Sequence, residues 1–334
     1  MIRPWIFEFA NSSGPPGAPL YDWYLDLWQQ AEPAGFEGIF FSEHHFRGHG
    51  ASPSPHLLIA ATAVRTNTLR LGVMGSVLPL HNPWRVAEEI AMLTHLTHGR
   101  FEIGYSSGIG PAETTIAGIP IDQVRPRFDE AVDFIERSLA GGRVELQGRF
   151  WQFGPMEILP TALHPLPTRW ITVLGPGSAR SAASREFNVC TGFLSIAEVK
   201  KVFDAYREVI GESCPERLGL RRQVLIAASD AEAAEINAKA VADFRAEIAR
   251  GMGKRQTVVP DAPGHSPLDF MFGADEQIIG SPASVAEQII EQCRATGAGH
   301  LLAFVFGTVG RPEIETNYRL WREVIPVLRK AGIE

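Results

Sequence analysis

The sequence predicts a (β/α)8 barrel, the TIM-barrel fold, with insertions. Three observations predict it. Eight short apolar runs of strand length recur along the 334 residues. Between them lie longer segments whose apolar residues repeat at helical spacing, the pattern of parallel strands joined by crossover helices. Eight such pairs in chain order suit a closed barrel better than an open doubly wound sheet, and the excess over the roughly 250 residues typical of that barrel calls for insertions.

The expected strands are 2–9 (IRPWIFEF), 36–43 (FEGIFFSE), 69–77 (LRLGVMGSV), 100–106 (RFEIGYS), 169–175 (RWITVLG), 187–193 (FNVCTGF), 221–228 (RRQVLIAA) and 300–306 (HLLAFVF). The helices carry their own start signals. In HNPWRVAEEIAMLTHL, Asn82 is an expected N-cap with Pro83 at the first helical position, and Val86, Ile90 and Leu93 share a face. Ser281 and Pro282 play the same parts ahead of Val285, Ile289 and Cys293, while Val124, Phe128, Ile135 and Leu139 form another stripe. The last stripe is Ile314, Tyr318, Trp321 and Ile325, where Pro326 is expected to bend the helix or end it early. Two insertions stand out. Residues 142–158 (GRVELQGRFWQFGPMEI) read as a hairpin after the fourth helix. Region 230–279, after the seventh strand, reads as an Ala-rich helix and a long loop, with Phe270, Met271 and Phe272 as the candidate closing segment of a lid. No repeat of solenoid period occurs, and residues 1–334 are expected to form one domain.

Composition narrows the class. The chain is 45% hydrophobic and 21% charged, an ordinary globular balance. Its net charge is −7, and no block of Lys and Arg offers a footprint for a phosphate backbone, so no nucleic-acid partner is expected. The 3 cysteines are far apart with no CxxC, which suits a reducing cytoplasm rather than a disulfide framework or a zinc knuckle. No stretch reaches the length of a membrane span, and the start lacks a long apolar leader; a cytoplasmic protein with no membrane partner is expected.

Chemistry is expected at the C-terminal ends of the barrel strands. FEGIFFSEHHF ends there with Glu43, His44 and His45. The strand period of two puts Gly38, Phe40, Ser42 and His44 on one face, and Ile39, Phe41, Glu43 and His45 on the other. Ile39 and Phe41 suit the face toward the helices, so His44 is expected in the barrel mouth. The alternative is an ordinary polar strand-end cap, the histidine tied by a hydrogen bond with Glu43 as its local partner. A metal centre is not expected, because adjacent histidines on a strand point apart and neither HxH nor HExxH is present.

Three further stretches could meet a ligand. In VLGPGSARSAA, Gly175 and Gly177 permit close backbone approach, Ser178 can cap the following helix and Arg180 adds charge, a combination suited to an anion, though a simple tight turn reads the same way. GYSSGIG, with Ser106 and Ser107, is small enough to admit a flat ligand or to be a flexible loop. Gly72 and Gly75 inside the third strand weaken it unless something approaches the backbone, so a ligand against that strand is expected. Nucleophilic catalysis has less support, since no cysteine sits at an evident strand end beside a histidine.

Taken in order, FSEHHF, SPSPHLLIAATAVRTNTLRLG, VLPLHNPWRVAEEIAMLTHLTHGRFEIG, IIGSPASVAEQI and EVIPVLR resemble the bacterial luciferase-like flavin monooxygenase family. The resemblance is clearest over 36–104 and weakest over 230–279. It implies a TIM barrel that takes reduced FMN from a separate flavin reductase and uses O2 to oxygenate a small organic substrate, an aldehyde, ketone or similar, through a C4a-peroxyflavin. It also implies a homodimer. By position, His44 matches the family's active-site histidine, with Glu43 beside it. Met74 and Gly75 match the site of a non-prolyl cis peptide that supports the flavin ring. Gly175, Gly177, Ser178 and Ala179 match the phosphate-binding turn, and Ser106 and Ser107 the loop after the fourth strand. Two departures stand out: Ser107 replaces the arginine of luciferase itself, and Gly175 replaces an acidic residue, with Arg180 as the expected substitute cation. An F420-dependent hydride-transfer enzyme of the same superfamily and a non-catalytic flavin-binding subunit are the alternatives; the Glu43-His44-His45 run leans against the first and an intact His44 against the second.

Overall fold

Eight parallel strands close into a barrel in the computed structural model, which describes residues 1–10, 20–46, 51–108, 111–252, 273–305 and 308–332. The ring runs β1 (Arg3–Glu8), β2 (Gly38–Phe41), β3 (Arg70–Val73), β5 (Phe101–Ser106), β8 (Arg169–Val173), β9 (Asn188–Thr191), β10 (Leu218–Ile226) and β12 (His300–Phe304). It closes because β12 pairs with β1 in register Arg3↔His300, while β10 pairs with both β12 and β9. The expected third strand is interrupted at Met74 and Gly75 and resumes as β4 (Ser76–Val77), which pairs with β5. The hairpin forms as expected from antiparallel β6 (Arg143–Gln147) and β7 (Gln152–Glu157).

One strand escaped the sequence pattern. β11 (Gln277–Gly280) lies inside the region read as a loop, and pairs with the C-terminal half of β10 from Gln223↔Gln277 to Ile226↔Gly280. Four residues are too few to show a period; the exposed edge of β10 beyond its short pairing with β9 supplies the partner that makes them a strand.

The helices follow the signals read from the sequence except at Ser281 and Pro326. In α4 (Pro83–Leu96) the Asn82 side chain accepts the Trp84 N–H, and Val86, Ile90 and Leu93 are buried. Ser281 sits at the N-cap of α10 (Pro282–Thr296) without a side-chain cap; its N–H instead donates to Asp230 (2.7 Å). α11 (Arg311–Lys330) continues through Pro326 rather than ending there. Tyr318, Trp321, Ile325 and Leu328 are buried on both sides of the proline, and that packing outweighs the one backbone bond it forfeits.

Strand alternation sorts the core into two clusters. Ile39, Phe41, Leu71, Val73, Ile103 and Val189 face the helices, while Trp5, Phe7, Phe40, Met74, Trp170 and Phe304 fill the barrel interior. The floor is closed by polar bonds between the inward rings: Trp5 Nε1 donates to His300 Nδ1 (2.9 Å) and Trp170 Nε1 to the buried carboxylate of Glu102 (2.9 Å). Burial pushes His300 down to about 3, so it is a neutral acceptor at neutral pH. Above the interior, Ile236, Ala240 and Val241 of α9 (Asp230–Met252) pack on the inner cluster. That helix is the described part of the expected lid; Phe270, Met271 and Phe272 lie outside the described residues. Among the described residues, no helix is long and apolar enough to cross a membrane.

Candidate active site at the barrel mouth

The alternation along β2 decides where His44 goes. Ile39 and Phe41 face the helices and Phe40 the interior, so the inward face continues through Ser42 to His44. The His44 ring lies parallel to Phe9, with centroids 5.8 Å apart and planes 10° apart, and Phe9 packs on the interior cluster. Its side chain is 21% exposed, and Nδ1 stands 3.4 Å from Oε1 of Glu113. Glu113 belongs to α5 (Pro111–Ile116), is itself buried, and also accepts the His45 N–H (3.2 Å). The carboxylate behind His44 is therefore Glu113, not the Glu43 of the strand-end-cap alternative. A ring set between a carboxylate and an open face is placed for proton transfer to a group at that face.

Glu43 faces the other way, as its place in the alternation requires. Its Oε1 accepts Nε2–H of His45 (2.9 Å) and of His81 (2.6 Å), and its Oε2 accepts the Val77 N–H (3.1 Å). Burial alone would raise this carboxyl, but the two histidines and Val77 overcome it and hold it at about 2. His81 responds in kind: burial opposes its charge, yet the bond to Glu43 raises it above the ordinary histidine value. Glu43 thus ties the end of β2 to the segment after β4. His44 and His45 do point apart, but His81 arrives from a separate segment and brings Glu43, His45 and His81 within 4.8 Å of one another, a donor set of the type that holds divalent ions. The hydrogen bonds already satisfy the carboxylate without an ion.

The Met74–Gly75 peptide is cis, as the resemblance implied, and the Met74 side chain enters the barrel interior. Gly75 lies against the backbone of Tyr105, where an added Cβ would meet main-chain atoms at 2.7 Å. Next to it, Ser76 Oγ is bonded to His56 Nε2 (3.2 Å), and His56 Nδ1 to Glu89 (2.7 Å), which anchors the segment to the helix layer. Gly72 corrects an expectation. The space it leaves is taken by the ring of Phe40 and the Cβ of Glu102, so this glycine serves internal packing and not a ligand. Ser106 and Ser107 lie half-buried at the end of β5, where Ser106 Oγ accepts the Gly108 N–H (3.0 Å). Ser42 Oγ, on the inward face between Phe40 and His44, is buried and has no hydrogen-bond partner among the described residues.

The Gly-rich turn joins β8 to α7 (Pro176–Ser184). An added Cβ at Gly175 or Gly177 would meet nothing within 4 Å, so the backbone at this helix start is open to an approaching anion. Gly175 is the N-cap; Ser178 is one turn inside, where its hydroxyl donates to the Gly175 carbonyl (2.8 Å), and Ala179 is buried. The Arg180 side chain is directed away from the turn. Two residues beyond Ser178 on a helix of about 3.6 residues per turn, it points to the opposite side, where it pairs with Glu208 (2.8 Å) of α8 (Ile196–Ile210). Sequence reasoning missed Glu113 and His81 as partners. Each lies more than 30 residues from the group it holds (|i−j| of 69 and 38), and no local spacing marks either.

With this geometry in place, comparison with known proteins is informative. The family model described as luciferase-like monooxygenase matches residues 5–300. The chain is 32% identical to the uncharacterized protein y4wF of Sinorhizobium fredii, covering 90% of this chain and 89% of that one. It is also 32% identical to the oxygenase component of the flavin-dependent trigonelline monooxygenase of Acinetobacter baylyi, over 51% of this chain and 48% of that protein. Among solved structures, the oxygenating constituent of 3,6-diketocamphane monooxygenase from Pseudomonas putida, a type II Baeyer-Villiger monooxygenase in complex with FMN, superposes with a TM-score of 0.80 at 23% identity, covering 98% of each chain.

Proposed function

Because the chain belongs to the luciferase-like monooxygenase family, we propose that it is the oxygenase of a two-component flavin system. It takes reduced FMN from a separate reductase and uses O2 to oxygenate a small organic substrate such as an aldehyde or ketone. The observation that carries this reading is His44, backed by Glu113 and stacked on Phe9 at the end of β2, one strand along from the Met74–Gly75 segment. The flavin complex of the P. putida relative and the flavin dependence of the A. baylyi relative support the cofactor.

The residues present fit FMN. The open backbone of Gly175 and Gly177, with Ser178 and Ala179, would hold the phosphate at the start of α7. Met74 and Gly75, with Ser106 and Ser107 alongside, would carry the ring, and the Ser42 hydroxyl, without a partner among the described residues, could bond to it. Reduced FMN supplies the electrons that activate O2. The protein's part is positional. Glu113 on Nδ1 leaves Nε2 of His44 as the nitrogen that holds or releases a proton at the reacting face. Phe7, Phe9 and Phe304, roofed by Ile236 and Ala240, keep water from that face. A homodimer in the cytoplasm completes the proposal, and light scattering on the purified protein checks the assembly.

The test is stopped-flow absorbance with reduced FMN and O2, with and without aldehydes and ketones, alongside reduced F420 as a second cofactor. Faster flavin reoxidation on adding a carbonyl compound, coupled to an oxygenated product, is expected. Turnover with F420 and no binding of FMN would replace this reading with hydride transfer.

A further inference from the structure

Around the ring of eight strands, β10 lies four places from β3 and so forms the wall across the barrel from Met74 and Gly75. Leu220, Val224 and Ile226 of β10 face the helices, which turns Arg221 and Gln223 inward. A guanidinium inside a barrel of aromatic rings is an expensive choice, because a buried charge without a partner is strongly disfavoured. Arg221 is 4% exposed, and its Nη2 has no hydrogen-bond partner among the described residues. The buried carboxylate of Glu276 is bonded instead to Arg222 (3.5 Å), whose side chain points to the helix side.

The guanidinium is nevertheless held in place. It lies 3.6 Å from the ring centroid of Phe193 and 4.9 Å from that of Phe304. Gly192 makes this possible, since an added Cβ would meet Arg221 Nε at 3.0 Å and Cζ at 3.1 Å. The rings connect it to the candidate active site: Phe304 packs edge-on against Phe9 (5.7 Å), and Phe9 carries His44 (5.8 Å). Gln223, one inward position further along β10, donates to Asn237 (2.9 Å) but keeps a buried Oε1 without a partner among the described residues. Among the described residues, the same inward face thus presents an unpaired donor, Arg221 Nη2, and an unpaired acceptor, Gln223 Oε1. Burial opposes the charge on Arg221, with Glu276 opposing that in part, so an anionic oxygen arriving at Nη2 would relieve a cost already present.

We propose that Arg221 recognises an anionic oxygen on the organic substrate, so that the substrate is a small carbonyl compound with an apolar or aromatic body that also carries a carboxylate. This rests on the oxygenase reading above for the identity of the site, but its test does not depend on turnover. Benzoate and benzamide are matched in shape and differ in charge. Titrated calorimetrically into the full-length protein, with and without saturating FMN, benzoate is expected to bind about tenfold or more tighter than benzamide. Arg221→Met should abolish that preference, and Arg221→Lys should restore part of it. A far-UV spectrum and thermal midpoint for each variant establish folding, and Arg221→Gln replaces the Met variant if that one does not fold. Equal binding of the two probes by the wild-type protein, or a preference that survives in Arg221→Met, overturns the assignment. The two readings fail separately: loss of FMN binding with the benzoate preference intact removes the flavin proposal alone, whereas normal flavin reoxidation with no preference removes only the role of Arg221.

Discussion

The two opposed walls of the barrel solve different packing problems. On the side of β2, β3 and β5, the inward face carries Gly38, Gly72 and Gly104, with Gly75 between β3 and β4. On the side of β10, β12 and β1 it carries Arg221, Gln223, Phe304 and Phe7. The contrast is not between an empty wall and a full one. Gly38 gives its space to Trp5, Gly72 to Phe40, and Gly75 and Gly104 to the main chains of neighbouring strands. The glycine wall is therefore the tighter of the two, with Ser42 Oγ lacking a partner among the described residues, while the ring wall holds Arg221 Nη2 and Gln223 Oε1 in the same state. Rigid backbone on one side and the larger share of unspent hydrogen-bonding capacity on the other suit the proposed arrangement, a flat cofactor against one wall and a variable substrate against the other.

Substitutions on each side sharpen this contrast. The largest effect is expected for Gly104→Ala, whose added methyl would overlap the Val73 carbonyl with no flexible side chain to give way. A loss of about 3–5 kcal/mol in denaturant unfolding is expected, since rigid overpacking is among the few causes of losses that large; a loss below about 1 kcal/mol would mean the glycine wall is slack. At the seam between the walls, His44→Ala should retain FMN binding while turnover falls by about 10²–10⁴-fold, the range of a lost general acid or base. Wild-type rates in that variant would remove the assigned role.

Glu43→Gln probes the strut behind the mouth. Loss of a charged, buried acceptor shared by His45 and His81 should cost about 1–3 kcal/mol. The pH dependence carries its own signature. The folded Glu43 is held at about 2 against an ordinary 4.5, so its contribution is present above 4.5 and is lost as pH falls toward 2. His81 is raised above its ordinary 6.5, so its contribution is complete below 6.5 and disappears as pH rises through the higher folded value. The cluster therefore stabilises most between 4.5 and 6.5, and urea unfolding of Glu43→Gln followed below and above that window should show both arms flattened. Unchanged arms would mean that the histidines do not depend on this carboxylate. The smallest effect belongs to Arg180→Ala. Its partner Glu208 and Arg180 itself are both exposed, so stability should change by less than about 1 kcal/mol, and FMN affinity by fluorescence quenching should stay at the wild-type value. A clear loss of affinity would return Arg180 to the phosphate turn.

Much of this was legible in the residues. Alternating apolar runs and helical stripes specified the barrel, because strand and helix periods are set by backbone geometry and burial. The parity of Ile39, Phe41 and His44 located the histidine in the mouth for the same reason. Where the reading failed, the cause was a contact made across the fold. Gly72 looked like room for a ligand until Phe40 proved to fill it, and of the two outcomes read at Pro326, a bend or an early end, packing on both sides removed the early end.

What the sequence by itself determined was periodic: which segments become strands and helices, which face of each is apolar, and where the strand ends converge. What only the tertiary structure decided was pairing between distant groups: Glu113 rather than Glu43 behind His44, His81 joining His45 on Glu43, Glu208 drawing Arg180 from the turn, and Phe193 seating Arg221. The physical reason is that hydrogen bonds and ring contacts act over a few ångströms in space and carry no trace in sequence separation. Periodicity is written locally, but partnership exists only once the barrel has closed.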